Sequence, residues 1–186
     1  MAIITHSTLD DLYRFDGKAE LIAGRIVQIM PSGKLHARIS KRILIELDNY
    51  ARRTGVGEAF GDALGYALAA PLPNGRESFC PDVSYLAEPD VGDDERFVDG
   101  PPTFAVEVRS EHQYGPAAER ELADKRADYF LAGTLAVWDV DPRTQTITLY
   151  RAASPEVSEV FTTASRPAHA EPALPGFRTM VAELFG

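Results

Sequence analysis

The sequence predicts a mixed α/β fold of the α+β kind: a central mixed β-sheet flanked by helices, preceded by a short helix and a hairpin. Three observations predict it. The segments run in the order helix, hairpin, helix, strands, helix, strands, which layers helices against a sheet. Two longer segments, Leu35–Tyr50 and Ala117–Leu131, place apolar residues at helical spacing. Two short β-rich runs, Cys80–Leu86 and Thr103–Ser110, are bounded by Pro- and Gly-containing loops.

Each element has its own warrant. Ser7-Thr8-Leu9-Asp10-Asp11 reads as a capped helix start, with acids in the first turn favoured by the dipole. Glu20–Ile22 and Arg25–Ile29 flank Ala23-Gly24 and read as a hairpin. After Pro31-Ser32-Gly33, the residues Leu35, Ile39, Ile43, Leu47 and Tyr50 recur at helical spacing, and Gly55 and Gly57 end the helix. Val56–Ala70 reads as strands broken by Gly61 and Gly65, and Pro71–Arg76 as a turn. Glu88–Pro102 holds six acids with Gly and Pro and is expected to be an exposed loop. Thr134–Val140 and Gln145–Tyr150 form a strand pair around the turn Asp141–Thr144. Val157–Thr162 is a further strand, followed by a Pro-rich connection and a short apolar helix, Val181–Phe185.

At 186 residues the chain is expected to form one domain spanning positions 1–186. A hydrophobic content of 45% and a charged content of 25% are those of an ordinary globular protein. The lone Cys80 excludes an internal disulfide and a cysteine-rich zinc site, and fits a reducing cytoplasm. No signal peptide or bilayer-spanning stretch is expected. The net charge of −9 argues against a general nucleic-acid coat. It conceals a basic stretch: Arg25, Lys34, Arg38, Lys41, Arg42, Arg52 and Arg53 face only Glu46 and Asp48 between positions 25 and 53.

Asp82 and Glu107 each sit among apolar β-formers. A carboxylate removed from water is costly unless a cation or hydrogen bonds accompany it. Two of them on separate strands point to a shared metal ion. Lys125 lies on the apolar stripe of its helix, three residues after Leu122 and four before Tyr129, so it faces the sheet that carries Glu107. Arg126 lies at the edge of that stripe, within easy reach of water.

These residues carry a resemblance. The runs Glu20–Val27, His36, Pro81-Asp82-Val83, Val106–Ser110, Lys125–Tyr129, Ala132–Pro142 and Leu174–Phe177 together resemble the Uma-type restriction endonucleases (the Uma-two family). That family is a branch of the PD-(D/E)XK nuclease superfamily. The resemblance implies a restriction-endonuclease-like mixed sheet, a divalent metal and phosphodiester hydrolysis. It assigns Asp82 and Glu107 to the metal-binding acids, Lys125 to the lysine that this branch carries on the next helix, and Glu20 to an acid near the first hairpin. Arg109 stands where the wider superfamily has its lysine. Two places depart from the pattern: Ala23 replaces an acid, and Glu111-His112-Gln113 replaces Pro-Ser.

Two carboxylates and the Val108 carbonyl are hard oxygen donors, suited to Mg²⁺ or Mn²⁺. The expected catalytic set is Asp82, Glu107, Lys125 and Glu20, with His36, Arg38 and Arg109 towards substrate. Plainer readings stand beside these. Asp82 could cap a turn, Glu107 could form a buried ion pair with Arg109 or Lys125, Glu20 could be a surface acid, and Arg109 could contact phosphate or pair with an acid. His36 could simply sit in the first turn of its helix. Cys80, Tyr129 and Trp138 read as core. The expected function is a DNA endonuclease acting as a homodimer; the competing one is a binding module on the same scaffold, motivated by the acidic balance and the altered Glu111-His112 segment.

Overall fold

A computed structural model describes residues 6–88 and 92–186. The first helix, α1 (Leu9–Tyr13), is closed by a capping box: the Thr8 hydroxyl accepts from the Asp11 N–H, and the Asp11 carboxylate accepts from the Thr8 N–H. Strands β1 (Ala19–Ile22) and β2 (Arg25–Gln28) form the expected hairpin. Its turn puts both Ala23 and Gly24 at positive φ, as a two-residue hairpin turn requires. The long helix α2 (Lys34–Thr54) buries Ile39, Ile43, Leu47 and Tyr50, and Gly55 ends it in the left-handed conformation. Leu35 does not join that stripe and is exposed; His36 is buried in its place.

The strands β3 (Glu58–Gly61), β4 (Tyr66–Ala67), β5 (Ser78–Phe79), β6 (Val83–Leu86), β7 (Val98–Asp99) and β8 (Phe104–Val108) follow. Then come α3 (Pro116–Ala132), β9 (Ala136–Asp141), β10 (Thr146–Arg151), β11 (Glu159–Thr162), β12 (Ala168–Ala170), β13 (Leu174–Thr179) and α4 (Val181–Phe185). The central sheet has the order β11-β10-β9-β8-β6-β3. It is mixed: β8 and β9 run parallel and are joined through α3, while the other pairs are antiparallel.

Strand alternation sends two residue sets to opposite faces. Val83, Tyr85, Phe104, Val106, Trp138 and Val140 meet α2, α4 and the β12–β13 hairpin in the larger core. Ala105, Val137 and Leu86 meet Tyr129 of α3 and Tyr66, Phe79 and Val98 of the small β5-β4-β7 sheet. Two expectations are corrected. The acidic stretch before Pro102 is not all exposed loop, since β7 pairs with β4 and Val98 is buried; residues 89–91 of that stretch lie outside the described residues. The Pro-rich connection near the C-terminus contains β12 and β13, with Pro175 at an exposed position of a two-stranded edge where its missing N–H is tolerated.

Candidate active site

The site lies at one end of β6 and β8, and strand register builds it. Val83 opposes Val106 and Ser84 opposes Ala105. Continued one residue, that register sets Asp82 across from Glu107, on the face that meets α3. Cross-strand neighbours on one face are about 5 Å apart at Cβ. Asp82 lies just beyond the ladder, and its carboxylate takes over the backbone's role: Oδ2 accepts from the Val108 N–H at 2.8 Å. The same oxygen lies 3.0 Å from Nε2 of His36, in the first turn of α2. Lys18, just before β1, places Nζ 3.6 Å from Asp82 Oδ1 and also pairs with Asp62.

Glu107 is engaged from α3. Lys125 Nζ lies 2.9 Å from Glu107 Oε1, and the Tyr129 hydroxyl donates to that oxygen at 2.7 Å. One helical turn separates the two donors, so a single face of α3 serves one carboxylate. Lys125 also reaches Glu20 Oε1 at 3.1 Å. Glu20 is held on the hairpin by the Cys80 N–H at 3.0 Å and by Arg76 Nη1 at 2.5 Å. Arg76 in turn donates through Nε to Asp128 Oδ2 at 2.7 Å, and Asn74 Nδ2 reaches both oxygens of Asp128 at 2.9 Å. A continuous polar network thus links β1, the β4–β5 connection and α3 behind the two acids.

The charges are unevenly settled. Burial pushes the Asp82 carboxyl up, but the His36 hydrogen bond, the His36 and Lys18 charges and the Val108 N–H hold it below its ordinary range. Burial is likewise outweighed at Glu20, where Lys125, Arg76 and the Cys80 N–H hold the carboxyl low. At Glu107 burial wins: with Asp82 and Glu20 close by, its pKa stays raised despite Lys125. Lys125 would be lowered by burial, yet its two carboxylates hold it well above the usual lysine range, so it is a fixed cation. His36 is raised in spite of burial, because Asp82 stabilises its charged form.

The acids Glu20, Asp62, Asp82, Glu107 and Asp128 therefore face Lys18, Arg76 and Lys125, with His36 charged only when protonated. Even then five acids meet four cations. A divalent ion would relieve that surplus. Asp82, Glu107 and the Val108 carbonyl are the donors available for it. Among the described residues no three His, Cys, Asp or Glu side chains form a metal cage. Two carboxylates are what Mg²⁺ commonly takes, keeping waters in its remaining positions.

Sequence reasoning named Asp82, Glu107, Lys125 and Glu20; in the structure Lys125 joins Glu107 to Glu20, and Asp82, with partners of its own, stands at the neighbouring strand end. The other candidates have these positions. His36 is buried with Nε2 3.0 Å from Asp82, which it holds, and it also lines the groove beside α2. Arg109 takes the acid-pairing alternative: Nε and Nη2 donate to Asp139 at 2.7 and 2.8 Å, and it also pairs with Glu119. Arg126 does not simply reach water, since it lies 3.3 Å from Asp139 and stacks 4.1 Å over the Tyr150 ring. Arg38 is exposed on α2. The altered segment Glu111–Gln113 lies apart from this network: the Glu111 and His112 side chains are exposed and pair with each other at 3.1 Å. Reasoning from sequence missed Lys18, Arg76 and Asp128 and gave Tyr129 only a packing role. Asp128, three residues after Lys125, carried a spacing signal; Arg76 carried none.

Two acids thus stand at adjacent strand ends of a mixed sheet, and a lysine from the crossover helix reaches one of them. The model of the Uma2 family, described as "Putative restriction endonuclease", matches residues 7–182, and the chain belongs to that family. The fold is similar to a crystal structure from Anabaena variabilis ATCC 29413, a "putative nuclease belonging to DUF820". The TM-score is 0.73 at 21% identity, covering 96% of this chain and 97% of that one. No curated protein matches the chain. Family membership supports a nuclease function. No helix among the described residues is long and apolar enough to cross a membrane.

Proposed function

We propose that this protein is a divalent-metal-dependent endonuclease that hydrolyses phosphodiester bonds in DNA, using Mg²⁺ or Mn²⁺. The observation that carries the reading is Lys125 Nζ at 2.9 Å from Glu107, with Asp82 at the neighbouring strand end. When bound, the ion supplies Lewis acidity, lowering the pKa of a bound water and offsetting charge on the phosphate.

The chain's own residues do the rest. Asp82 and Glu107 are the anionic ligands. His36 and the Val108 N–H fix Oδ2 of Asp82, and Tyr129 fixes Oε1 of Glu107. Lys125 stays protonated, so it acts as a donor and not as a base. It orients the attacking water or stabilises negative charge that grows on the phosphate oxygens as the P–O bond breaks. Glu20 holds Lys125 from behind. Cutting both strands of a duplex requires two such sites, which supports a homodimer, and the single reduced-type Cys80 supports a cytoplasmic setting.

Supercoiled plasmid incubated with Mg²⁺ or Mn²⁺ tests this. Nicked and linear products are expected, abolished by chelation and reduced about 100-fold or more by Asp82→Asn or Lys125→Met. Intact plasmid, linear duplex and single strands with either ion would sink the enzymatic reading.

A further inference from the structure

We propose that the first two turns of α2 and the groove beside them form the track that holds the phosphodiester backbone of the scissile strand. This rests on the nuclease reading and says where its substrate lies.

The groove has a volume of about 340 Å³ and runs between α2 and the end of β3. His36, Ser40 and Lys41 line one wall, Gly61 and Asp62 the other, and Asp82 closes the inner end. It therefore opens directly onto an acid of the candidate site. A space of this size matches the lower end of small-ligand pockets. It admits one nucleotide's sugar and phosphate, while a duplex would rest on the rim. Asp62, at that rim, is paired with Lys18, so its charge is answered locally.

The cations of α2 divide by their partners. Arg42 donates to the Leu184 carbonyl at 3.2 Å and is tied to α4. Arg52 is paired with Asp48 at 2.8 Å, and Arg53 lies over the Tyr50 ring. The exposed Lys34, Arg38 and Lys41 have no such engagement among the described residues. They stand at i, i+4 and i+7, so they share one face of the helix, and Lys41 joins that face to the groove. The first turn of α2 carries no acid, so the stripe is not neutralised along the helix. In a chain of net charge −9, three adjacent uncommitted cations leading to a catalytic groove complement a polyanion. Contacts of this kind position a backbone without reading its sequence.

The test is fluorescence anisotropy with labelled duplex and single-stranded oligonucleotides, with divalent ions chelated so that binding is read without cleavage. The slope of log K against log salt is measured for each protein. For the variant carrying Lys34→Ala, Arg38→Ala and Lys41→Ala, the slope is expected to fall by about 2.7 for duplex or about 2.1 for a single strand. The loss should be equal across unrelated sequences, and Lys41→Arg alone should keep the wild-type slope. Arg52→Ala and Arg53→Ala should leave it unchanged. An unchanged slope in the triple variant, or an equal fall in the Arg52 and Arg53 variants, would overturn the track while leaving the nuclease reading intact. Absence of binding by the unsubstituted protein to either nucleic acid would overturn the track, while the nuclease reading stands or falls on plasmid cleavage with Mg²⁺ or Mn²⁺.

Discussion

Two charged clusters share the face of the sheet that meets α3, and they differ in how their charges are settled. Arg109 follows Glu107 by two residues, just past the end of β8, and Asp139 stands opposite Glu107 on β9. Around Asp139, Arg109 donates twice and Arg126 once, while Glu119 completes Arg109. Two cations meet two anions, and Asp139 is only 4% exposed. Around Glu107, Lys125 is shared with Glu20, and the nearby Asp82 adds a further negative charge. The first cluster is complete without a ligand. The second holds a carboxyl whose pKa remains raised, which means that its surroundings still favour an added positive charge. Burial and ion pairing alone therefore do not mark a site here; an imbalance within a buried network does.

The widest separation between the clusters should appear when one acid is removed from each. Asp139→Ala removes a buried carboxylate and leaves two part-buried guanidinium groups without their shared partner, and breaking a buried pair costs up to about 3–5 kcal/mol. Glu107→Gln keeps the side-chain volume and an acceptor for Tyr129, and removes a charge that the fold already disfavours. Its stability cost should be below about 1 kcal/mol. Plasmid cleavage should respond in the opposite way, with Glu107→Gln inactive and Asp139→Ala active at temperatures where it remains folded. Urea unfolding of both variants measures the contrast. Equal destabilisation would show that the clusters are both structural.

Sequence reasoning reached the acids and the lysine because each breaks a local pattern. Asp82 and Glu107 interrupt β-rich apolar runs, and Lys125 interrupts the apolar stripe of a helix. Arg76 breaks no pattern. It sits in a turn-like stretch, where an arginine is ordinary, and becomes buried only because Glu20 and Asp128, distant in sequence, converge on it. Lys18 is concealed in the same way by Asp62 and Asp82. The central strands were legible from composition and alternation. Strands β12 and β13 were not, because Pro172 and Pro175 argue against strands and the two segments pair only with each other. Arg109 could not be settled from sequence, since its partner Asp139 belongs to the next strand of a parallel pair and reaches it only through the crossover.

Tyr129→Phe gives a smaller effect and sharpens the comparison within one residue. The ring should keep its stacking on Phe79, whose centroid lies 4.3 Å away, so packing is preserved. Only the hydroxyl bond to Glu107 is lost, at a cost of about 1 kcal/mol. That bond favours the ionised carboxylate, so its removal moves the Glu107 pKa further upward. The acidic limb of the cleavage–pH profile should therefore shift to higher pH, with the plateau rate less affected. A Tyr129→Phe profile that overlays wild type would remove the hydroxyl from any role in tuning Glu107.

The subtlest contrast is the sign of a slope. Asp82 and Glu20 have folded pKa values below their ordinary ones, so the stability they contribute is present above those ordinary values and is lost as pH falls through the folded ones. Glu107 acts in reverse. Its folded pKa is raised, so between its ordinary and folded values the folded protein retains a proton that the unfolded chain has released. Across that window Glu107 makes stability decline as pH rises. In metal-free protein, urea midpoints measured from mildly acidic to neutral pH should therefore climb more steeply for Glu107→Gln than for wild type. Saturating Mg²⁺ should remove the same component from wild type, because a bound ion takes the place of the proton. If Glu107→Gln and wild type show parallel pH dependence without metal, the carboxyl is already balanced, and the distinction between the two clusters collapses.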